Sequence, residues 1–407
     1  MRRPKYIHLY IEKYDPKERV LLLDFLSEKE FDAFARKYDL FIRDRIFTPT
    51  MMLVSNMRLR TEYPFAEGSV YRVPLAEVEE LPWECFYCAE HPSAHIAFYL
   101  DEYDTALSGN MPDLSSLSWE KVSGKQFEKH LESTTDDTPC GLEKLHDNIS
   151  VVVKNVGQGS WNGIYTGNTC TAFFDMGCSI YYTKQEMRNL LGDDPFADHP
   201  TLLISHWDID HYNLLTVAED NALQNLCCAF IPDSCMTLTS KQVADRLYAN
   251  CNFVHCVSPI PSRRKARIIG METCCSGSNY MLFTGERSSS KNLSGLAIAL
   301  WTGNNCVLLC ADHSYYQVFE RMLKIVQHDV KSLSAAARIH LVVPHHGGNA
   351  GSIQYIPTNL THAGQAIVSL GPNQYGHPLT DVRSAIYNAG FHWITTEFNQ
   401  QDIRLAL

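Results

Sequence analysis

Hydrophobic and polar positions change rhythm partway along this chain. At the start, YIHLYIEKY alternates with the two-residue period of a half-exposed strand, and RVLLLDF is a second apolar run. Ser27 followed by Glu30 spells a capping box that opens a helix over SEKEFDAFARKYDLFIRDR. From about 108 to 148 the pattern breaks: SGNMPDLSSLS and STTDDTPCG are rich in turn formers around one short amphipathic piece, WEKVSGKQFEKHLE. Beyond it, runs that are apolar throughout (ISVVVKNV, CTAFFDMG, TLLIS, LCCAFI, FVHCV, YMLFT, GLAIALW, CVLLC, IHLVVP, QAIVSL, FHWITT) alternate with amphipathic stretches such as KQEMRNLL, SKQVADRLYAN, SYYQVFERMLKIVQ and TDVRSAIYNA. Continuously apolar strands belong in sheets covered on both faces, so this half predicts a layered α/β architecture. The boundary is expected near residue 147, with a smaller α+β domain over 1–147 and the larger α/β domain over 148–407.

Composition narrows the partners. A length of 407 residues exceeds one ordinary core, and 45% apolar with 20% charged residues is globular. The net charge of -11 discourages unspecific attraction to polyanions, so a nucleic-acid partner needs a local basic surface. SRRKAR at 262–267 and ERSSSK at 286–291 are the candidates for one. Fourteen cysteines include the adjacent pairs Cys227/Cys228 and Cys274/Cys275, and charge interrupts every apolar run of the amino terminus. Neither a signal peptide nor a membrane span is legible, and free thiols in a reducing cytoplasm are the expectation.

The densest chemistry is in TLLISHWDIDHYNLL, where His206, Asp208, Asp210 and His211 crowd the end of an apolar run. Two carboxylates so close repel one another unless a divalent cation turns the repulsion into attraction. Ligands at alternate positions of the turn, His206 and Asp208, would face one ion while Asp210 and His211 face another. Three further apolar runs end in metal-compatible side chains: Asp312 after CVLLC, His345 and His346 after IHLVVP, and His377 after IVSLGPNQYG. Strand ends on one edge of an α/β sheet are where such residues would converge into one composite site. Upstream, KNVGQGSW places Gly157, Gln158 and Gly159 in a turn that is either a plain hairpin connection or a set of backbone N–H groups facing an anionic oxygen. CFYCAEHPSAH sets Cys85, Cys88, His91 and His95 at ligand-like spacings, short of the usual finger because no hairpin and helix intervene; core cysteines beside a loop are the alternative.

Taken in order, NVGQGSW, FFDMG, SHWDIDH, KNLSGLAIALWTGNNCVLLCAD, VPHHGG and SLGPNQYGHP resemble the metallo-β-lactamase fold superfamily, and within it the soluble hydrolase domain of ComEC competence proteins. The resemblance spans roughly 149–407. It implies an αββα sandwich with two divalent ions, zinc or manganese, on the edge where the sheets meet. It implies His206 and Asp208 as ligands of the first ion, Asp210 and His211 as ligands of the second, and Asp312 as the bridging carboxylate. His345 or His346 would be the ligand of the HHG motif, and His377 would close the second site. Asp210 would orient the nucleophile and carry a proton, with Asp208 beside it, while His346, Asn373, Tyr375 and the Gly157–Gly159 turn would meet substrate oxygens. The chain departs from the family pattern at Asn155, Ser160 and Ala311, and has no histidine before the bridging aspartate, which leaves the first ion with fewer ligands.

The implied chemistry is hydrolysis, two cations lowering the pKa of a water from ~15.7 to nearly 7. Phosphodiesters are the expected substrates, as nucleic acid or a small nucleotide; small esters, lactones or thioesters, or a non-catalytic module retaining the fold, are the alternatives. The first 147 residues match no family, and are expected to serve as a clamp, a dimerisation unit or a docking site for a protein partner.

Overall fold

The structure is a computed structural model describing residues 3–407 except 16–18, 39–49, 56–64, 82–83, 88–95, 99–104, 109–113, 135–140, 262–268, 289, 372–375 and 400. The chain forms two compact units, one of residues 1–130 with 234–245 and one of 131–233 with 246–407.

The first unit is built on an eight-stranded sheet whose strands pair antiparallel. The strand Tyr6–Asp15 lies between Val20–Phe25 and Val70–Pro74. Ile7, Leu9 and Ile11, one face of the predicted alternation, are buried with Leu21, Leu23 and Phe25 against Phe31 and Phe34 of the helix Glu28–Lys37. That helix starts where Ser27 and Glu30 place it, yet the capping box does not form: Ser27 makes no side-chain cap bond. Glu30 instead accepts the His8 backbone N–H at 2.8 Å and lies 2.9 Å from His8 Nδ1. A carboxylate offered both a neighbouring strand and its own helix end here takes the strand. The amphipathic piece around 119–132 forms two short strands, Glu120–Val122 and Lys129–His130, about a single turn of 3-10 helix.

The second unit holds two seven-stranded sheets. The first runs, in spatial order, Val254–Val257, Cys228–Pro232, Thr201–Leu203, Thr169–Met176, Trp161–Thr166, Ile149–Val153, Ile403–Ala406. The second runs Met271–Ser276, Tyr280–Gly285, Leu296–Trp301, Asn305–Leu309, Arg338–Val342, Ala363–Val368, His392–Thr395. Each predicted apolar run of this half is one of these strands. Val151, Val153, Ile164, Phe174 and Leu203 of the first sheet pack on Leu282, Ile298, Leu300, Val307 and Leu309 of the second, forming the central core. The outer face of the second sheet carries Ala297, Leu308, Leu341 and Val368 against Val318, Phe319, Met322 and Ile386 of the helical segments Tyr316–Met322, Leu323–Asp329 and Thr380–Asn388. On the outer face of the first sheet Phe173 meets Phe196, ring centroids 6.1 Å apart. This is an αββα sandwich. Strands Met271–Ser276 and Ile403–Ala406 escape the apolar-run pattern because each is a sheet edge with exposed positions.

Parallel pairing fixes the polarity that matters. Thr169–Met176, Thr201–Leu203, Cys228–Pro232 and Val254–Val257 run parallel. So do Asn305–Leu309, Arg338–Val342, Ala363–Val368 and His392–Thr395. Parallel strands deliver their carboxyl ends to one edge, where the loops carry chemistry. Among the described residues no helix is long and apolar enough to cross a membrane.

Candidate metal centre

The edge of the second unit gathers residues far apart in sequence. Leu203 leads into Ser205 and His206, Leu309 into Asp312, and Val342 into His345 and His346. His206, Asp210, His211, Asp312 and His346 are all buried. Two groups of ligand atoms lie within 4.8 Å of one another: His206, His211 and Asp312, and Asp210, His211 and His346. His211 belongs to both; within the first group Asp312 Oδ1 lies 3.4 Å from His211 Nε2 and Oδ2 3.8 Å from His206 Nε2. His346 Nε2 lies 3.9 Å from Asp210 Oδ2.

The remaining expected residues sit around this nucleus. Asp208 Oδ2 is 3.1 Å from His206 Nε2. His345 Nδ1 is 2.5 Å from Asp312 Oδ2, and its ring centroid is 5.6 Å from that of His377. Asp208, His345 and His377 belong to neither close group. Gly157 has φ +69°, and a Cβ on Gly159 would land on the Cys178 backbone, so both glycines allow the turn to press against its neighbour. Gln158 is buried, and Gly159 and Ser160 line the same cavity as His211, Asp312, His345 and His346. Asn373 and Tyr375 lie outside the described residues, as do Cys88, His91, His95, the side chain of Cys85 and the basic run 262–267.

Backbone strain concentrates here. Asp175, Ala311, His345 and His346 have φ of 60, 46, 51 and 52°, a left-handed region that costs a non-glycine residue roughly 1–2 kcal/mol. Such conformations persist where surrounding contacts over-determine them, and they cluster at functional sites. Two consecutive left-handed histidines split their directions, His345 toward Asp312 and His346 toward Asp210.

Asp175 is the residue that motif reading passes over. Fully buried in FFDMG, its Oδ1 accepts the Ser205 N–H at 2.7 Å. Its Oδ2 accepts the hydroxyls of Ser205 and Ser160 at 2.9 and 3.0 Å and lies 2.7 Å from His211 Nδ1. A carboxylate behind an imidazole fixes the ring's tautomer and turns the other nitrogen outward as a lone pair. Only the parallel pairing of Thr169–Met176 with Thr201–Leu203 brings the two together. Lys291 is also unforeseen at the cluster: Nζ lies 2.5 Å from Asp208 Oδ1 and 2.5 Å from the Trp207 carbonyl. By contrast His313, next to Asp312, has its nitrogens 2.8 and 3.2 Å from the Cys310 and Gly295 carbonyls, and burial pushes its pKa down to about 4.

Charges in the cluster lean on one another. Burial pushes the Asp312 carboxyl up, but His345 and His211 outweigh it and hold it well below the usual carboxylate range. Burial pulls His211 down, yet Asp175 and Asp312 hold it well above an ordinary imidazole. Burial lowers His346. His211 Nε2 and His346 Nε2 are buried and make no hydrogen bond. Buried polar atoms without partners are rare and ask for an explanation; two imidazole nitrogens aimed at carboxylate oxygens are the donor set of a divalent transition-metal ion. The residues present fit a metal.

The sandwich and its edge cluster define the class: an αββα fold carrying His/Asp groups suited to metal. No family model and no curated protein matches the chain. Among solved structures it is similar to the metallo-β-lactamase fold protein YhfI from Bacillus subtilis, at 14% identity over 64% of this chain and 100% of that one, TM-score 0.39. It is similar to Tm1679, a metal-dependent hydrolase of the β-lactamase superfamily, at 13% identity over 64% of this chain and 99% of that one, TM-score 0.34. It is also similar to a variant of the CmlA β-hydroxylase, at 13% identity over 80% of this chain and 76% of that one, TM-score 0.35. The sandwich itself is read from its strand orders and packing, not from these likenesses.

Proposed function

We propose that this protein is a metal-dependent hydrolase of phosphodiester bonds, in a nucleic acid or a small nucleotide. The observation that carries the reading is the pair of buried, unbonded nitrogens, His211 Nε2 and His346 Nε2, converging with Asp210 and Asp312. Asp210, His211, His346 and Asp312 would hold a zinc or manganese ion. When bound, such an ion supplies Lewis acidity, acidifying water and drawing electron density from a substrate oxygen.

The chain's own residues do the rest. Asp175, 2.7 Å from His211 Nδ1, would keep the proton of the neutral ring there and leave the Nε2 lone pair for the ion. Asp210 would accept a proton from the attacking water and return it to the leaving oxygen as the P–O bond breaks. Ser160 N–H donates to the Asp210 carbonyl at 2.9 Å, tying the turn after the first strand to this base. Phosphodiesters are favoured over carbonyl substrates by the motif order, which resembles the ComEC hydrolase domain, and by Lys291, a positive charge within the cluster.

The test pairs elemental analysis with a panel of single-stranded, duplex and cyclic nucleotides, wild type against Asp210→Ala. The expected result is bound metal and turnover in the wild type, with turnover falling by 10²-fold or more in the variant, roughly what a positioned acid–base group contributes. Equal turnover in two folded proteins would overturn the reading. Cleavage of p-nitrophenyl esters with none of bis(p-nitrophenyl) phosphate would move the substrate to carbonyl compounds.

A further inference from the structure

We infer that the first of the two cation positions is filled by the Lys291 ammonium, so that the cluster binds a single divalent ion, at Asp210, His211, His346 and Asp312. The inference rests on the metal reading above and sharpens it. Donors around the first position are already engaged. Asp208 Oδ1 has Lys291 Nζ at 2.5 Å, and its Oδ2 is 3.1 Å from His206 Nε2. Asp312 Oδ2, the oxygen nearer His206, accepts from Asn292 Nδ2 at 3.2 Å and meets His345 Nδ1 at 2.5 Å. At the second position the reverse holds: Asp312 Oδ1 faces His211, and the His211 and His346 Nε2 atoms make no hydrogen bond.

Lys291 is held in place by its loop. It opens the short helix Lys291–Ser294. Gln317 Nε2 donates to the Leu293 carbonyl at 2.7 Å, Ser294 Oγ accepts the Ser288 N–H at 2.8 Å, and Leu296 N–H donates to the Ser205 carbonyl at 2.9 Å. A second divalent ion on Asp208 would have to share that carboxylate with an ammonium and face like-charge repulsion in a partly buried site. Lysine gives the compact point charge that such a substitution needs.

The experiment is metal stoichiometry on the full chain, by titration calorimetry with Mn²⁺ and by elemental analysis after desalting. Circular dichroism checks the fold of each variant. The wild type is expected to bind one ion per chain, Lys291→Arg to stay at one, and Lys291→Met to rise to two with an exchange-coupled Mn²⁺ pair in its paramagnetic resonance spectrum. Two ions in the wild type, or one in folded Lys291→Met, would overturn the inference and leave the hydrolase reading standing. No bound ion in any of them would overturn both.

Discussion

Replacing Asp175 by asparagine isolates what the buried carboxylate does for His211. Oδ1 is pinned as an acceptor by the Ser205 N–H at 2.7 Å, so the asparagine carbonyl must take that place and its amide must replace Oδ2. Three partners then change: the Ser160 and Ser205 hydroxyls and His211 Nδ1. The hydroxyls can rotate to accept. The imidazole can accept at Nδ1 only by moving its proton to Nε2, the atom that would bind the ion. Loss of such an orienting carboxylate typically weakens metal affinity about 10–100-fold, equivalent to about 1.4–2.8 kcal/mol. The assay is competition for Mn²⁺ or Zn²⁺ against a fluorescent chelator, with a thermal melt alongside. A folded Asp175→Asn protein whose affinity stays within about twofold of wild type, far less than an orienting partner contributes, would refute the role given to Asp175.

Two other substitutions reach different parts of the molecule. Gly177→Ala would drive a Cβ onto the Asp210 carbonyl and the His211 amide, while Gly167, at φ +63°, has nothing within 4 Å. Urea unfolding is expected to show a loss of about 1–3 kcal/mol for Gly177→Ala from overpacking. Gly167→Ala is expected to lose only roughly 1 kcal/mol, from left-handed strain; weaker metal binding should accompany the first alone. In the first unit, burial raises the Asp24 pKa although the Thr50 hydroxyl and the Thr239 N–H donate to it at 2.8 and 3.0 Å. A carboxyl with a raised folded pKa stabilises when protonated, and that stability is lost as pH rises through the raised value. Asp24→Asn is therefore expected to gain in melting temperature over wild type progressively as pH rises above the ordinary carboxylate range, and a gain that shrinks with rising pH would contradict the assignment.

Much of the second unit is legible in sequence because its central strands are buried on both faces, leaving unbroken apolar runs such as GLAIALW and CVLLC. The cluster is legible where ligands crowd one turn, as in HWDIDH. What escapes is carried by contacts distant in sequence. Asp175 reads as the tail of a strand until the pairing of Thr169–Met176 with Thr201–Leu203 sets it behind His211. Lys291 reads as one more charge in a basic loop until that loop closes on Asp208. Residues 234–245 lie inside a stretch patterned like the rest of the α/β half, yet they belong to the first unit, where Leu238 joins its core. Glu30 spells a helix cap, and a strand amide outcompetes its own helix end.

Side chains from separate strand ends would together hold a divalent ion at one edge of the sandwich. Anomalous diffraction from crystals grown with Mn²⁺ tests it most directly. A peak is expected in coordination contact with His211 Nε2, His346 Nε2 and the Asp210 and Asp312 carboxylates. A map with no peak there, and those four side chains turned from a common centre, would contradict it.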